Sequence, residues 1–174
     1  ASASSSDCTE CEVGRYSSAA AAAACINCIA GRYVGVTAAT FCIFCTHGSV
    51  TDTLAQTGGS TCTACIVGRY STTSTRACAN CARGRYVDVA GGTSCIGCAA
   101  GKYVDVAGSD SSSDCIDCVA GRYVPRPGSD AASDCIACVV GKYSSTVGSP
   151  AESDCIDCGA GSYSASIASA SSSD

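Results

Sequence analysis

All eighteen cysteines of this 174-residue chain fall in C-x-x-C pairs, and the pairs recur along its whole length. Their first members are Cys8, Cys25, Cys42, Cys62, Cys78, Cys95, Cys115, Cys135 and Cys155, at steps of 16, 17 or 20 residues. A period of this size marks a repeat array, in which each unit buries its surface against its neighbours. Cysteine makes up just over a tenth of the residues, the composition of a disulfide scaffold. The rest of the inventory agrees: there is no Trp or Met, there are two Phe, and Leu54 is the one leucine. Such a chain cannot assemble an ordinary apolar core, so covalent staples must substitute for it.

Each pair is followed after two residues by glycine: Gly14, Gly31, Gly48, Gly68, Gly84, Gly101, Gly121, Gly141 and Gly161. Tyrosine stands two residues later in eight repeats, and the position between them is Arg or Lys in seven. The unit is C-x-x-C-x-x-G-[RK]-Y, then a short segment such as Val87-Asp88-Val89, then a Gly/Ser/Asp turn. Nine repeats follow, at 8–24, 25–41, 42–61, 62–77, 78–94, 95–114, 115–134, 135–154 and 155–174. Tyr with the residues after it, and the Ile after many first cysteines, predict short strands. Tyr is expected to lie across the adjacent disulfide. The fold class is therefore small disulfide-rich repeats: an elongated rod of short β-hairpins and loops with essentially no helix. The run Ala19–Ala24 favours helix by propensity, but it is too short to nucleate one within a disulfide frame.

Cysteine spacing alone does not dictate connectivity. A bond inside one C-x-x-C closes a very small ring, typical of redox-active pairs, and leaves the stretches between pairs untethered. Joining the second cysteine of one pair to the first of the next gives Cys11–Cys25, Cys28–Cys42, Cys45–Cys62, Cys65–Cys78, Cys81–Cys95, Cys98–Cys115, Cys118–Cys135 and Cys138–Cys155. Cys8 and Cys158 are then left over, one near each end, as candidates for a bond between units. The rival reading is zinc, which C-x-x-C knuckles bind in pairs through four thiolates. Nine knuckles is an odd number, and the single histidine, His47, sits in the repeat that lacks Tyr.

No other residue set points to a catalytic, cofactor or metal site. His47 has no acid or nucleophile cluster around it. Asp7, Asp114, Asp134 and Asp154 precede first cysteines, and Asp117 and Asp157 lie inside pairs, without the alternating oxygen-ligand spacing of a calcium loop. They read as turn residues or as partners for the Arg/Lys position. The net charge of −5 argues against nucleic acid. No apolar run approaches the roughly 20 residues of a membrane span. The Ser/Thr-rich stretches Ser71–Thr75 and Ser169–Ser173 suit O-linked glycans, whereas neither Asn27 nor Asn80 begins an N-glycosylation motif. The polar start without Met reads as a mature piece of a longer secreted protein. Residues 1–7 and 168–174 both read ASASSSD, in phase with a further 20-residue step, so a 167-residue unit is expected to recur, within one chain or along a filament.

The unit C-I-D-C-V-A-G-R-Y-V (Cys115 to Val124) with its S-D-A-A-S-D-C link resembles the ephrin-receptor-like cysteine-rich repeat, a relative of the tumour-necrosis-factor-receptor modules. The resemblance runs over the whole chain and departs at Ser49-Val50 and Ser162. In that family the next cysteine closes each Cys-x-x-Gly-x-Tyr loop, which supports the second-to-first pairing. The V-D-V-A-G-S-D turns resemble repeat arrays in surface proteins of algae and related protists, some of them from flagellar hairs (mastigonemes). The resemblance implies an extracellular, non-enzymatic structural protein whose partners are copies of itself, head to tail, or neighbouring fibre proteins. A receptor or adhesion stalk is the alternative, with the odd residues Phe41, Phe44, His47 and Leu54 as the one candidate patch.

Overall fold

A computed structural model describes residues 8–172. Asp7, the heptad at 1–7 and the last two residues of its copy at 168–174 lie outside the described residues. In the seven repeats with a Gly-[RK]-Tyr segment, the basic residue and Tyr run as a two-residue strand, and in the third repeat Ser49–Thr51 takes its place. The two-residue strands pair antiparallel with the residues after the next first cysteine: Arg15–Tyr16 with Ile26–Asn27, Arg32–Tyr33 with Ile43–Phe44, Arg85–Tyr86 with Ile96–Gly97. Lys102–Tyr103, Arg122–Tyr123 and Lys142–Tyr143 pair in the same way with Ile116–Asp117, Ile136–Ala137 and Ile156–Asp157. Such short ladders are marginal alone, and a disulfide holds each one at its mouth.

Eight disulfides, each from the second cysteine of one pair to the first of the next, join Cys11 to Cys25, Cys28 to Cys42, Cys45 to Cys62 and Cys65 to Cys78, and likewise Cys81 to Cys95, Cys98 to Cys115, Cys118 to Cys135 and Cys138 to Cys155. Sequence separations run from 13 to 17. Loops of that size remove about 3 kcal/mol of chain entropy each from the unfolded state in the polymer estimate. The longer loops before Cys115, Cys135 and Cys155 each contain one 3₁₀ turn, Ser112–Asp114, Ala132–Asp134 and Glu152–Asp154. Ala19–Ala24 forms turns and bends, not a helix.

The chain folds as two interleaved units. One comprises residues up to Ile66 with Ser71–Ala79 and Ala90–Thr93. Its buried residues include Cys28, Val34 and Cys42, with Tyr16 packed against them. The other comprises Val67–Tyr70, Asn80–Val89 and the residues from Ser94 on. Here Cys98, Val104 and Cys115 pack under Tyr86, and Cys118, Val124 and Cys135 under Tyr103. In each cluster the tyrosine comes from the preceding repeat and lies on the next repeat's cystine. The residue after Tyr is buried in seven repeats, at Val34, Ser71, Val87, Val104, Val124, Ser144 and Ser164, and Thr51, after Val50, fills the same place in the third repeat. Val89 and Val106, two residues further on, face solvent, because the chain has left the strand and turned.

Backbone bonds tie three successive repeats together. The Gly84 N–H donates to the Val104 carbonyl, and the Val104 N–H donates to the Ser129 carbonyl. The Cys98 N–H in turn donates to the Gly84 carbonyl. This crowding explains the glycine: a Cβ on Gly84 would overlap the Gly128 carbonyl oxygen, two repeats on. Gly14 against Gly58, Gly48 against Gly91, Gly68 against Gly108, Gly101 against Gly148 and Gly121 against Ala168 repeat the relation. Each of these repeats therefore reaches past its neighbour to the one beyond.

Gly141 supplies an internal control, because its φ of 80° matches the 79° of Gly84 while nothing lies within 4 Å of a Cβ built there. Both Gly84→Ala and Gly141→Ala carry the left-handed backbone cost of about 1–2 kcal/mol, and Gly84→Ala adds a backbone collision. Hydrogen exchange is expected to show clearly greater loss of protection around Gly84→Ala than around Gly141→Ala. Equal losses would mean that the close approach is not what selects glycine.

Candidate functional site

The basic position between Gly and Tyr serves the hairpin in two ways, set by the residue across the ladder. Where that residue is Asp, the position holds Lys: Lys102 Nζ lies 2.8 Å from Asp117 Oδ1, and Lys142 Nζ lies 2.9 Å from Asp157 Oδ1. The hydrogen bond and charge of Asp157 raise the Lys142 pKa. Both pairs are solvent-exposed, so they act on register more than on stability. Where the residue across is not acidic the position holds Arg, whose longer fork reaches a backbone carbonyl. Arg32, Arg85 and Arg122 donate through Nη1 to the carbonyls of Cys42, Cys95 and Cys135, at 3.3, 3.2 and 2.8 Å. Arg15 donates instead to the Asn27 side chain at 2.8 Å.

The aspartates before first cysteines do a different job. Asp114 Oδ2 accepts the N–H groups of Asp110 and Ser111 at 3.1 and 3.2 Å. Asp134 does the same for Asp130 and Ala131, and Asp154 accepts from Ala151. Each carboxylate anchors the 3₁₀ turn that ends in it. Spacing to the following cysteine hides this role, since Asp117 and Asp157, two or three residues away, are ion-pair partners.

Cys8 is exposed and Cys158 partly buried, both as free thiols. Among the described residues no three His, Cys, Asp or Glu side chains gather as metal ligands would, and no helix is long and apolar enough to cross a membrane. His47 is exposed on its loop. Phe41 and Phe44 are 67% and 65% exposed, and the Arg32 guanidinium lies 3.5 Å over the Phe44 ring. Phe41 and Arg32 also line a shallow groove beside Tyr16. Leu54 is half-buried, with φ 53° in a turn that closes onto Thr51. In the two stretches suited to glycans, Ser71 and Ser169 are buried, whereas Thr72 and Thr73 are exposed.

Residues 68–115 match the family described as tyrosine-protein kinase ephrin type A/B receptor-like. A search of curated proteins finds none that matches the chain. The match and the tandem disulfides make this a cysteine-rich repeat protein. Disulfides persist outside the cytosol, and with the match they mark an extracellular or surface domain.

Asp52 anchors the loop of the third repeat: it accepts hydrogen bonds from the Ser60 hydroxyl and the Ser60 N–H, and the hydroxyl bond is the main cause of its lowered pKa. A lowered folded-state pKa favours the carboxylate form, so the contribution is present at neutral pH and lost as pH falls through that pKa. Acidification below the ordinary aspartate range is expected to lower the protection factor of the Ser60 amide, its exchange relative to the intrinsic rate at the same pH, in the wild type. Asp52→Asn should show a lower protection factor already at neutral pH and little further change, and an acid response in Asp52→Asn equal to that of the wild type would refute the assignment.

Proposed function

We propose that this chain is a structural segment of an extracellular fibre, built from interchangeable disulfide-stapled repeats and carrying no catalytic role. One observation supports the reading most: the same inter-repeat bond recurs down the chain. The N–H of the repeat glycine meets the carbonyl after the next Tyr at Gly14–Val34, Gly48–Ser71, Gly68–Val87, Gly84–Val104, Gly101–Val124, Gly121–Ser144 and Gly141–Ser164. A contact repeated in this way can extend an array without a specialised centre. Each of Ile96, Ile116, Ile136 and Ile156 is also about half-exposed, which gives lateral partners within a fibre a regular apolar foothold. Flagellar hairs of the mastigoneme type are the setting that best suits such an array.

The exposed pair Phe41 and Phe44, with Arg32 stacked on Phe44, favours a second reading, a receptor or adhesion stalk that binds a protein ligand there. Aromatic and Arg side chains are the usual anchors of such interfaces. Electron microscopy of the native particle, labelled with an antibody to this chain, separates the two. Label recurring along a continuous filament is the expected result, and label confined to a short membrane-proximal stalk would overturn the fibre reading.

A further inference from the structure

Two places along the array depart from its repeat in ways that the packing of repeat on repeat does not use. The first is aromatic. Both phenylalanines of the chain, Phe41 and Phe44, stand either side of Cys42, where Thr61 and Ala64 flank Cys62 and Ser94 and Gly97 flank Cys95. Exposed Ile and Val recur from repeat to repeat, but exposed rings of this kind do not. Their exposure is a property of the place in the repeat: Thr61, Ala64, Ala77 and Asn80, with repeats on both sides, are exposed as well. Arg32 stacks on Phe44, has no carboxylate partner among the described residues, and keeps a buried Nε without a hydrogen-bond partner. The aromatic knob therefore carries an unneutralised positive charge.

The second departure is a turn. The seventh repeat reads Val124-Pro125-Arg126-Pro127-Gly128, where the fifth and sixth read Val87-Asp88-Val89-Ala90-Gly91 and Val104-Asp105-Val106-Ala107-Gly108. Proline in place of aspartate removes a carboxylate, and Pro125, Pro127 and Ile136 give apolar walls to a groove of about 500 Å³. Asp130 and Asp134 also line it. Asp134 holds its turn through Oδ2, and the Asp130 carboxylate makes no hydrogen bond or ion pair. Ile136 is 48% exposed, against 51% for Ile96 and 46% for Ile116, so this wall is as open as its counterparts earlier in the array.

We propose that the Phe41 and Phe44 rings of one copy of this chain seat in the Pro125–Pro127 groove of a second copy. The rings meet the prolines and Ile136, and the free Arg126 guanidinium stacks on an aromatic face. Arg32, carried on Phe44, faces the carboxylates of Asp130 and Asp134, so apolar surface meets apolar surface and the charges are opposite. One chain bears both halves, so the contact passes from copy to copy. The inference rests on the fibre reading and names a contact between copies for it. With 67% and 65% of the two rings exposed, the pair offers roughly 200–300 Å². That is well under the roughly 800 Å² each partner gives to a stable interface, so the contact is weak alone and strengthens by repetition along a fibre.

Two full-length variants test the contact, each replacing the odd residues with those at the same places in other repeats, which keeps the fold. One is Phe41→Ser with Phe44→Ala, the other Pro125→Asp with Arg126→Val and Pro127→Ala. The free thiols of Cys8 and Cys158 are alkylated first, so that no disulfide exchange joins the copies. Sedimentation velocity over a concentration series reads the association. The wild type is expected to associate as concentration rises, and each variant alone to need at least about tenfold more protein for the same degree. An equimolar mixture of the two variants should form a heterodimer and nothing longer, because one keeps the groove and the other the rings. A wild type that stays monomeric, a mixture that associates no more than its parts, or a groove variant that associates as the wild type does overturns the contact. The fibre reading is tested separately by the antibody label: a failed mixture with label along the filament removes this contact alone, and label on a stalk with a positive mixture removes the fibre reading alone.

Discussion

The disulfide between the second cysteine of one pair and the first of the next is the constraint on which everything else depends. It brings two strands of two residues into register, a ladder too short to persist unaided. It also supplies the buried bulk, since cystines occupy the places that leucines fill in an ordinary domain. In the clusters around Cys28–Cys42, Cys98–Cys115 and Cys118–Cys135 the chain adds only one small residue after Tyr and one tyrosine from the previous repeat. Valine, serine and threonine all serve in the first role, because the site demands small volume and a backbone in strand geometry.

A second constraint follows from the first. With so little side-chain volume to separate them, successive loops approach until backbone touches backbone. The glycine notches, such as that of Gly84 filled by a carbonyl two repeats on, are the close form of this packing. Stability is therefore shared over three consecutive repeats. Change at one position is felt by the loop beyond the neighbour, yet no single residue organises the whole chain.

Much of this architecture is legible in the sequence, because the period, the cysteine pairs, the glycine and the tyrosine are local and repeated. The spacing predicts a strand from Tyr onward, whereas the strand is the basic residue with Tyr and ends there; the partner strand at the following Ile is where the spacing puts it. The roles that escaped are those that depend on what lies opposite. The choice of Lys at 102 and 142 and Arg at 122 follows from Asp117, Asp157 and Ala137 across the ladder, a correlation visible only once the register is known. Burial after Tyr was hidden because Val104 and Ser144 differ in polarity while sharing a place. The three-residue difference between steps of 17 and 20 is, in the last three loops, one 3₁₀ turn held by Asp114, Asp134 or Asp154.

The pattern of cysteine linkage can be read directly from the unreduced protein. Proteolysis under conditions that block exchange, followed by mass spectrometry of the linked peptides, is expected to recover pairs such as Cys98–Cys115 and Cys118–Cys135 and no link inside a C-x-x-C. Recovery of Cys115–Cys118 or Cys135–Cys138 links instead would leave the hairpins unstapled and contradict the architecture at its foundation.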